Sequence, residues 1–224
     1  MLSLFFIDEV ANYKQYDAAG QAVNGIYGDM FEQEYRSVVD SLQLGMHEEE
    51  YKNYLGGIRV ESTHAGYFSI DKKSHRFVDS TLGDKKARTS DDADAYDLIM
   101  KDKERLLDRK EPVRFIFSHS ALREGWDNPN VFQICTLKKQ SESEIRSRQE
   151  IGRGLRLSVN QSGERMDMNL LGEDVQSINQ LTVITDWGFE PFVKAYQDGL
   201  AEAVADRPRE VKPELFVGKM IVDH

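Results

Sequence analysis

Short apolar runs alternate with longer amphipathic stretches along this chain. LSLFFID at residues 2–8, VRFIF at 113–117, VFQICTL at 131–137 and LTVITD at 181–186 are almost continuously apolar, as strands covered on both faces of a parallel sheet are. Between them, residues 29–55 read as helix with an interruption near Gly45. AYDLIMKDKERLLD at 95–108 reads as another, with Leu98, Ile99, Leu106 and Leu107 sharing a face, and Glu111-Pro112 ends it. One helix contains RQEIGRGLRL at 148–157, and one more runs over about 189–205. GIRVE and GYFSID, with His64-Ala65-Gly66 between them, read as two short strands of a hairpin-like element, and the polar residues 71–94 as either a long loop or a disordered one. Strands alternating with helices predict an α/β fold with a largely parallel sheet. Ligands of such sheets lie beyond the carboxyl ends of the strands, which puts the segment Ser118 to Asn130 in a binding position.

Composition bounds this picture. A chain of 224 residues, 40% hydrophobic and 30% charged, has room for one domain with an insertion or for two small ones. No apolar run approaches the roughly 20 residues that span a bilayer. MLSLFFIDEV lacks the basic flank and small-residue cleavage site of a signal peptide, so the chain is expected in the cytoplasm, with no membrane partner. Cys135 has no second cysteine to pair with and sits in an apolar run, the setting of a buried strand thiol. The five histidines show no metal-ligand spacing.

Net charge is −10, which argues against nucleic acid covering the whole surface. Between Lys138 and Arg165, however, seven basic residues (Lys138, Lys139, Arg146, Arg148, Arg153, Arg156, Arg165) stand against four acidic ones (Glu142, Glu144, Glu150, Glu164), a net of +3. The remaining 22 basic and 35 acidic residues leave −13 elsewhere. An anionic ligand therefore belongs near this segment, unless its charges form only a solvated helix face.

RQEIGRGLRL lies inside that segment. On a continuous helix, Gln149, Arg153 and Arg156 fall at i, i+4 and i+7 and project from one face, while Ile151 and Leu155 share another. Each helical glycine costs about 0.8–1 kcal/mol relative to alanine, so Gly152 and Gly154 require a reason. Either the helix ends here with Gly154 as its cap, or bare backbone admits a ligand or a second domain beside the arginines. Two guanidinium forks and an amide suit the oxygens of a phosphate.

The wording of two segments carries a resemblance. Gln149-x-x-Gly152-Arg153-x-x-Arg156 resembles the sixth motif of superfamily 2 helicases, and Leu122-Arg123-Glu124-Gly125-Trp126-Asp127-x-Pro129 resembles the fifth. The longer texts FIFSHSALREGWDNPNVFQICTL and RQEIGRGLRLSVNQSGER are similar to the Res subunit family of type III restriction enzymes, as are LSLFFIDEVANY, HAGYFSIDKK and AYDLIMKDKERLL. The resemblance covers most of residues 1–205; about 21–55 and the tail carry little of it.

That resemblance implies a RecA-like P-loop NTPase lobe over residues 1–205, a mostly parallel sheet flanked by helices, with an α+β insertion at about 21–110. Residues 206–224 are then a tail or a linker towards a following domain. In the family pattern Arg153 and Arg156 are arginine fingers for the γ-phosphate of ATP, assisted by Gln149. Gly125, Asp127 and Gly152 border the nucleotide, and Ser118 contacts a DNA phosphate. Ordinary readings compete: a turn at Asp127-Asn128-Pro129 and a strand-end hydrogen bond at Ser118. LFFIDEV has the form of a Walker B strand, yet no G-x-x-x-x-G-K-[ST] phosphate loop occurs. Asp8 and Glu9 are therefore expected to be structural or part of a surface turn.

The implied whole is an ATP-dependent DNA translocase and endonuclease, of which this chain is expected to be an inactive piece. Its ATP and Mg2+ would be held largely by residues outside the chain. The implied partners are the first helicase lobe of the same protein, double-stranded DNA and the methyltransferase (Mod) subunit. The second lobe of a DNA repair or remodelling motor shares both motifs, and a non-catalytic DNA- or protein-binding module could share the fold.

Overall fold

Strand β1 (Leu2–Ile7) lies in the middle of a five-stranded sheet. The computed structural model describes residues 1–42, 49–71, 74, 76–79, 99, 104–108, 110–119, 128–137, 150–185 and 190–205. Two antiparallel hairpins stand apart from the sheet: β2 (Lys14–Tyr16) with β3 (Ala22–Asn24), and β5 (Ser69–Ile70) with β6 (Phe77–Val78). The sheet itself joins β4 (His64–Tyr67), β7 (Phe115–Ser118), β1, β8 (Val131–Leu137) and β9 (Thr182–Thr185), in that spatial order and parallel at every pairing. This is the α/β architecture expected of a RecA-like lobe. The four apolar runs each supply a strand.

Alternation along β1 divides the core into two layers. Leu2, Leu4 and Phe6 join Ile116, Ile134, Ile99 and Leu106 on one face. Phe5 and Ile7 point to the other, where α1 (Ile26–Ser41) brings Tyr27 and Phe31 against Phe115, Phe117 and Tyr13. Phe117 stacks between Phe5 and Tyr13 at centroid separations of 4.6 and 4.5 Å. Such aromatic pairs contribute about 0.5–1.5 kcal/mol beyond the area they bury.

A polar network crosses this aromatic layer. The Tyr13 hydroxyl is 2.8 Å from His64 Nδ1, and His64 Nε2 is 3.4 Å from Glu32 Oε1 on α1. Glu32 also accepts from Asn24 Nδ2 at 2.6 Å and Arg36 at 3.0 Å. Burial lowers the His64 pKa, with the neighbouring Glu32 opposing the shift. Asp8 takes the structural role expected of it. Its Oδ1 accepts from the Glu9 amide and from Asn12, opening the turn Val10–Asn12.

Several elements differ from expectation. Val60–Ser62, which takes in the last two residues of GIRVE, is a short 3-10 turn, and β4 pairs in parallel with β7 as the edge of the main sheet. The reason is register: the apolar face of Ala65 and Tyr67 packs on the β1 core layer, which a free hairpin could not offer. Within residues 21–110, β4 belongs to the main sheet and α1 packs on it, while β5 and β6 form a hairpin of their own. Phe77–Val78 is strand inside the stretch read as loop. The helical stretch read over 29–55 with an interruption near Gly45 is instead in agreement, as α1 and α2 (Glu49–Gly56), with residues 43–48 outside the described set. Of the helix read at 95–108, Arg105–Leu107 is a 3-10 turn, and Ile99 and Leu106 are buried in one core layer. Two short helices, α3 (Met168–Leu171) and α4 (Val175–Ile178), precede β9, and α5 (Glu190–Ala205) follows it. The chain divides into two units, Met1–Asp186 and Trp187–His224.

Candidate functional site

The helix ends within RQEIGRGLRL, one of the two readings its glycines allow. Glu150, Ile151 and Gly152 are helical. The amides of Arg153 and Gly154 then reach back only three residues, to Glu150 O at 3.3 Å and Ile151 O at 2.9 Å, the tightened last turn of a helix end. The cause is packing. A Cβ on Gly154 would come within 2.5 Å of Leu181 Cδ1, so the chain closes against Leu181 through bare backbone. Gly154 does not adopt a left-handed φ, so it ends the helix by close approach and not as a left-handed cap.

This ending corrects the expected face arrangement. Ile151 is 5% exposed and anchors the segment, whereas Leu155 is 48% exposed and shares no buried face with it. Arg156 lies past the helix end and is exposed. Arg153 is half-buried. Burial lowers its pKa, the carboxylate of Glu150 opposes that shift, and the charge of Arg156 adds to it. Both guanidiniums therefore belong to one electrostatic neighbourhood, with buried Glu150 beside Arg153. A Cβ on Gly152 would meet nothing within 4 Å, so there is space beside that backbone position.

Two asparagines hold the segment after Arg156. Asn179 Oδ1 accepts from the Ser158 amide at 2.8 Å and from the Ser158 hydroxyl at 2.9 Å, and its Nδ2 donates to Met166 O and Val175 O. Asn130 Oδ1 accepts from the Val159 amide at 2.9 Å, and its Nδ2 donates to Val159 O at 3.0 Å. Nothing in the sequence pattern marks Asn179; Asn130 is legible only as a turn residue after Pro129.

Ser118 closes β7 at its carboxyl end, in register with Phe6 on one side and Tyr67 on the other, and is 2% exposed. His119 follows, its Nε2 3.7 Å from Asp79 Oδ1, and that same oxygen accepts from the Val10 amide at 2.7 Å. Asn128 is buried, and its Oδ1 accepts from the Asn130 amide in a turn through Pro129. Gly125, Asp127 and Gln149 lie outside the described residues. Among the described residues, no group of three His, Cys, Asp or Glu side chains is disposed to hold a metal ion. Arg153 and Arg156 are guanidinium groups of the kind that suits phosphate oxygens, while no described acidic cluster offers itself to Mg2+.

No family model matches the chain. Curated proteins do. The chain is 40% identical over 162 residues to the Res subunit of the Escherichia coli type III restriction-modification enzyme EcoP15I, covering 71% of this chain and 15% of that protein. The EcoPI Res subunit of Escherichia phage P1 is 41% identical over 162 residues, with the same coverage. The chain carries a segment of the Res-subunit family of type III restriction-modification enzymes. The StyLTI Res subunit of Salmonella typhimurium agrees, at 36% identity over 179 residues, 74% of this chain and 16% of that protein. This Res-family segment thus spans about 15% of the length of the relatives it matches. None of its described helices is long and apolar enough to cross a membrane.

Proposed function

We propose that this chain is the second RecA-like motor lobe of a type III restriction Res subunit, and that it lends arginine fingers to an ATP site completed by the first lobe. The observation that carries the reading is Arg153 and Arg156 in one electrostatic neighbourhood, at a helix end with space beside the Gly152 backbone. Phosphoryl transfer concentrates negative charge on the γ-phosphate oxygens in the transition state, and ATP with Mg2+ supplies that chemistry in the whole protein. Arg153 and Arg156 would neutralise that charge. Burial weakens the water shell around Arg153, so its charge is less screened than that of an exposed arginine. Glu150 keeps it from being an unpaired buried cation.

In this reading Gln149, Gly125 and Asp127 complete the nucleotide border. Ser118 stands at the DNA-facing end of β7, and its burial makes it the weakest member of the set. The lobe extends over residues 1–205 and leads into a tail at 206–224. DNA is the duplex the motor moves along, the Mod methyltransferase is the partner subunit, and the assembly works in the cytoplasm. The second lobe of a repair or remodelling motor shares the arginine pattern, but the identity to Res subunits across 71% of the chain favours the restriction reading.

DNA-stimulated ATP hydrolysis by the full-length protein tests the proposal. Turnover that rises on adding duplex DNA, together with a phosphate loop encoded upstream, is the expected result. A full-length protein without a phosphate loop, or one that does not hydrolyse ATP with DNA present, would sink it.

A further inference from the structure

The segment bearing both arginines continues straight into the two asparagines' grip. Asn130 stands at the start of β8, and its carbonyl accepts from the Leu2 amide at 2.7 Å, so it is tied to the central strand of the sheet. Asn179 ends α4 and is tied to Met166 and Val175. From these separate anchors they take the consecutive residues Ser158 and Val159, two and three positions after Arg156. Beyond the grip, Met166 N donates to Ser158 O at 2.8 Å and Val159 bridges Arg165. Residues 158–166 thus return on themselves, with Gly163 in a left-handed conformation at the turn. Upstream, the backbone is fixed a second time where Gly154 meets Leu181.

We infer that Asn130 and Asn179 are positioning residues for Arg153 and Arg156: they clamp Ser158 and Val159 so that the non-helical run carrying Arg156 keeps one path. This rests on the arginine-finger reading. An exposed arginine beyond a helix end has no helical hydrogen bonds to direct it, and a finger displaced by about an ångström loses much of its effect on rate. Two side-chain amides, each both donating and accepting, supply such a constraint. Neither asparagine touches the nucleotide in this reading.

The test uses the full-length protein, with amide exchange resolved to single residues and steady-state ATP hydrolysis on duplex DNA. Asn130→Ala should speed exchange at Val159, and Asn179→Ala at Ser158, by about tenfold or more, with β1 amides unchanged. Each should lower kcat about tenfold while KM for ATP moves less than about threefold. Asn130→Asp keeps the acceptor for the Val159 amide but loses the donor to Val159 O, and should recover protection and kcat only in part. Where Asn179→Ala does not fold, Ser158→Ala, which removes one clamp hydrogen bond, carries the comparison. Unchanged exchange at Ser158 and Val159 overturns the clamp. Lost protection with kcat within about twofold of the parent overturns the positioning role. If Arg153→Ala and Arg156→Ala themselves turn over normally, the finger reading fails instead, and exchange alone decides the clamp.

Discussion

Leu181 lies directly against the backbone of Gly154: a Cβ built on that glycine would sit 2.5 Å from Leu181 Cδ1 and 3.1 Å from Cδ2. Leu181 is itself packed on the core layer around β1, so it cannot swing away without cost. Gly154→Ala should therefore destabilise the lobe by about 1–3 kcal/mol, the usual range for overpacking. Gly152→Ala has open space and a helical backbone, and should be neutral or stabilising by up to about 1 kcal/mol. Urea denaturation of the two variants checks the contrast. Equal effects would mean that the glycines do not have these separate roles. Leu181→Ala in the Gly154→Ala background should recover part of the overpacking loss.

The network through His64 makes stability depend on pH in one direction. Burial lowers the His64 pKa below its ordinary 6.5. In the window between 6.5 and that lower value, the unfolded chain binds more protons than the folded one. Stability therefore falls as pH drops through the window; above it the contribution is fully present and independent of this group's titration. Denaturation midpoints measured from about pH 8 to about pH 5 should decline, and His64→Gln should flatten the decline while lowering stability at the alkaline end. An equally steep decline in the variant would assign the effect to other groups.

Cys135, in β8 beside the central strand, offers a probe of global unfolding. Burial pushes its thiol from 9.0 up to about 11, so the reactive thiolate is suppressed by about 100-fold in the folded state before access is considered. A thiol-specific reagent near pH 8 should label the native protein at least about 100-fold more slowly than the urea-unfolded chain. Rapid native labelling would contradict the packing of β8. The same shift implies that stability declines as pH rises from about 9 to about 11, because the unfolded thiol ionises first.

The sheet was legible wherever burial on both faces produced an unbroken apolar run: β1, β7, β8 and β9 are all visible as text. His64-Ala65-Gly66 was read as the connection between GIRVE and GYFSID, whereas β4 begins at His64, because its pairing with β7 is decided by Ala65 and Tyr67 packing on a distant core layer. Arg153 and Arg156 were legible by type and spacing, but their placement on one helix face was not. The helix end depends on Leu181, 27 positions beyond Gly154, and no local pattern announces such a contact. Glu150 read as one more solvated helix charge, yet it is buried beside Arg153. Asn130 and Asn179 carry no periodicity or spacing, because a side-chain clamp on backbone amides is defined only once the chain has folded.

DNA-stimulated ATP turnover of the full-length protein carrying Arg153→Ala or Arg156→Ala tests the central claim most directly. Arginine fingers are worth about 10³ to 10⁵ in rate, so each variant should fall by at least about 10³ in kcat while retaining the exchange protection of β1 and its binding to duplex DNA. Turnover within about threefold of the parent in both variants would contradict the account.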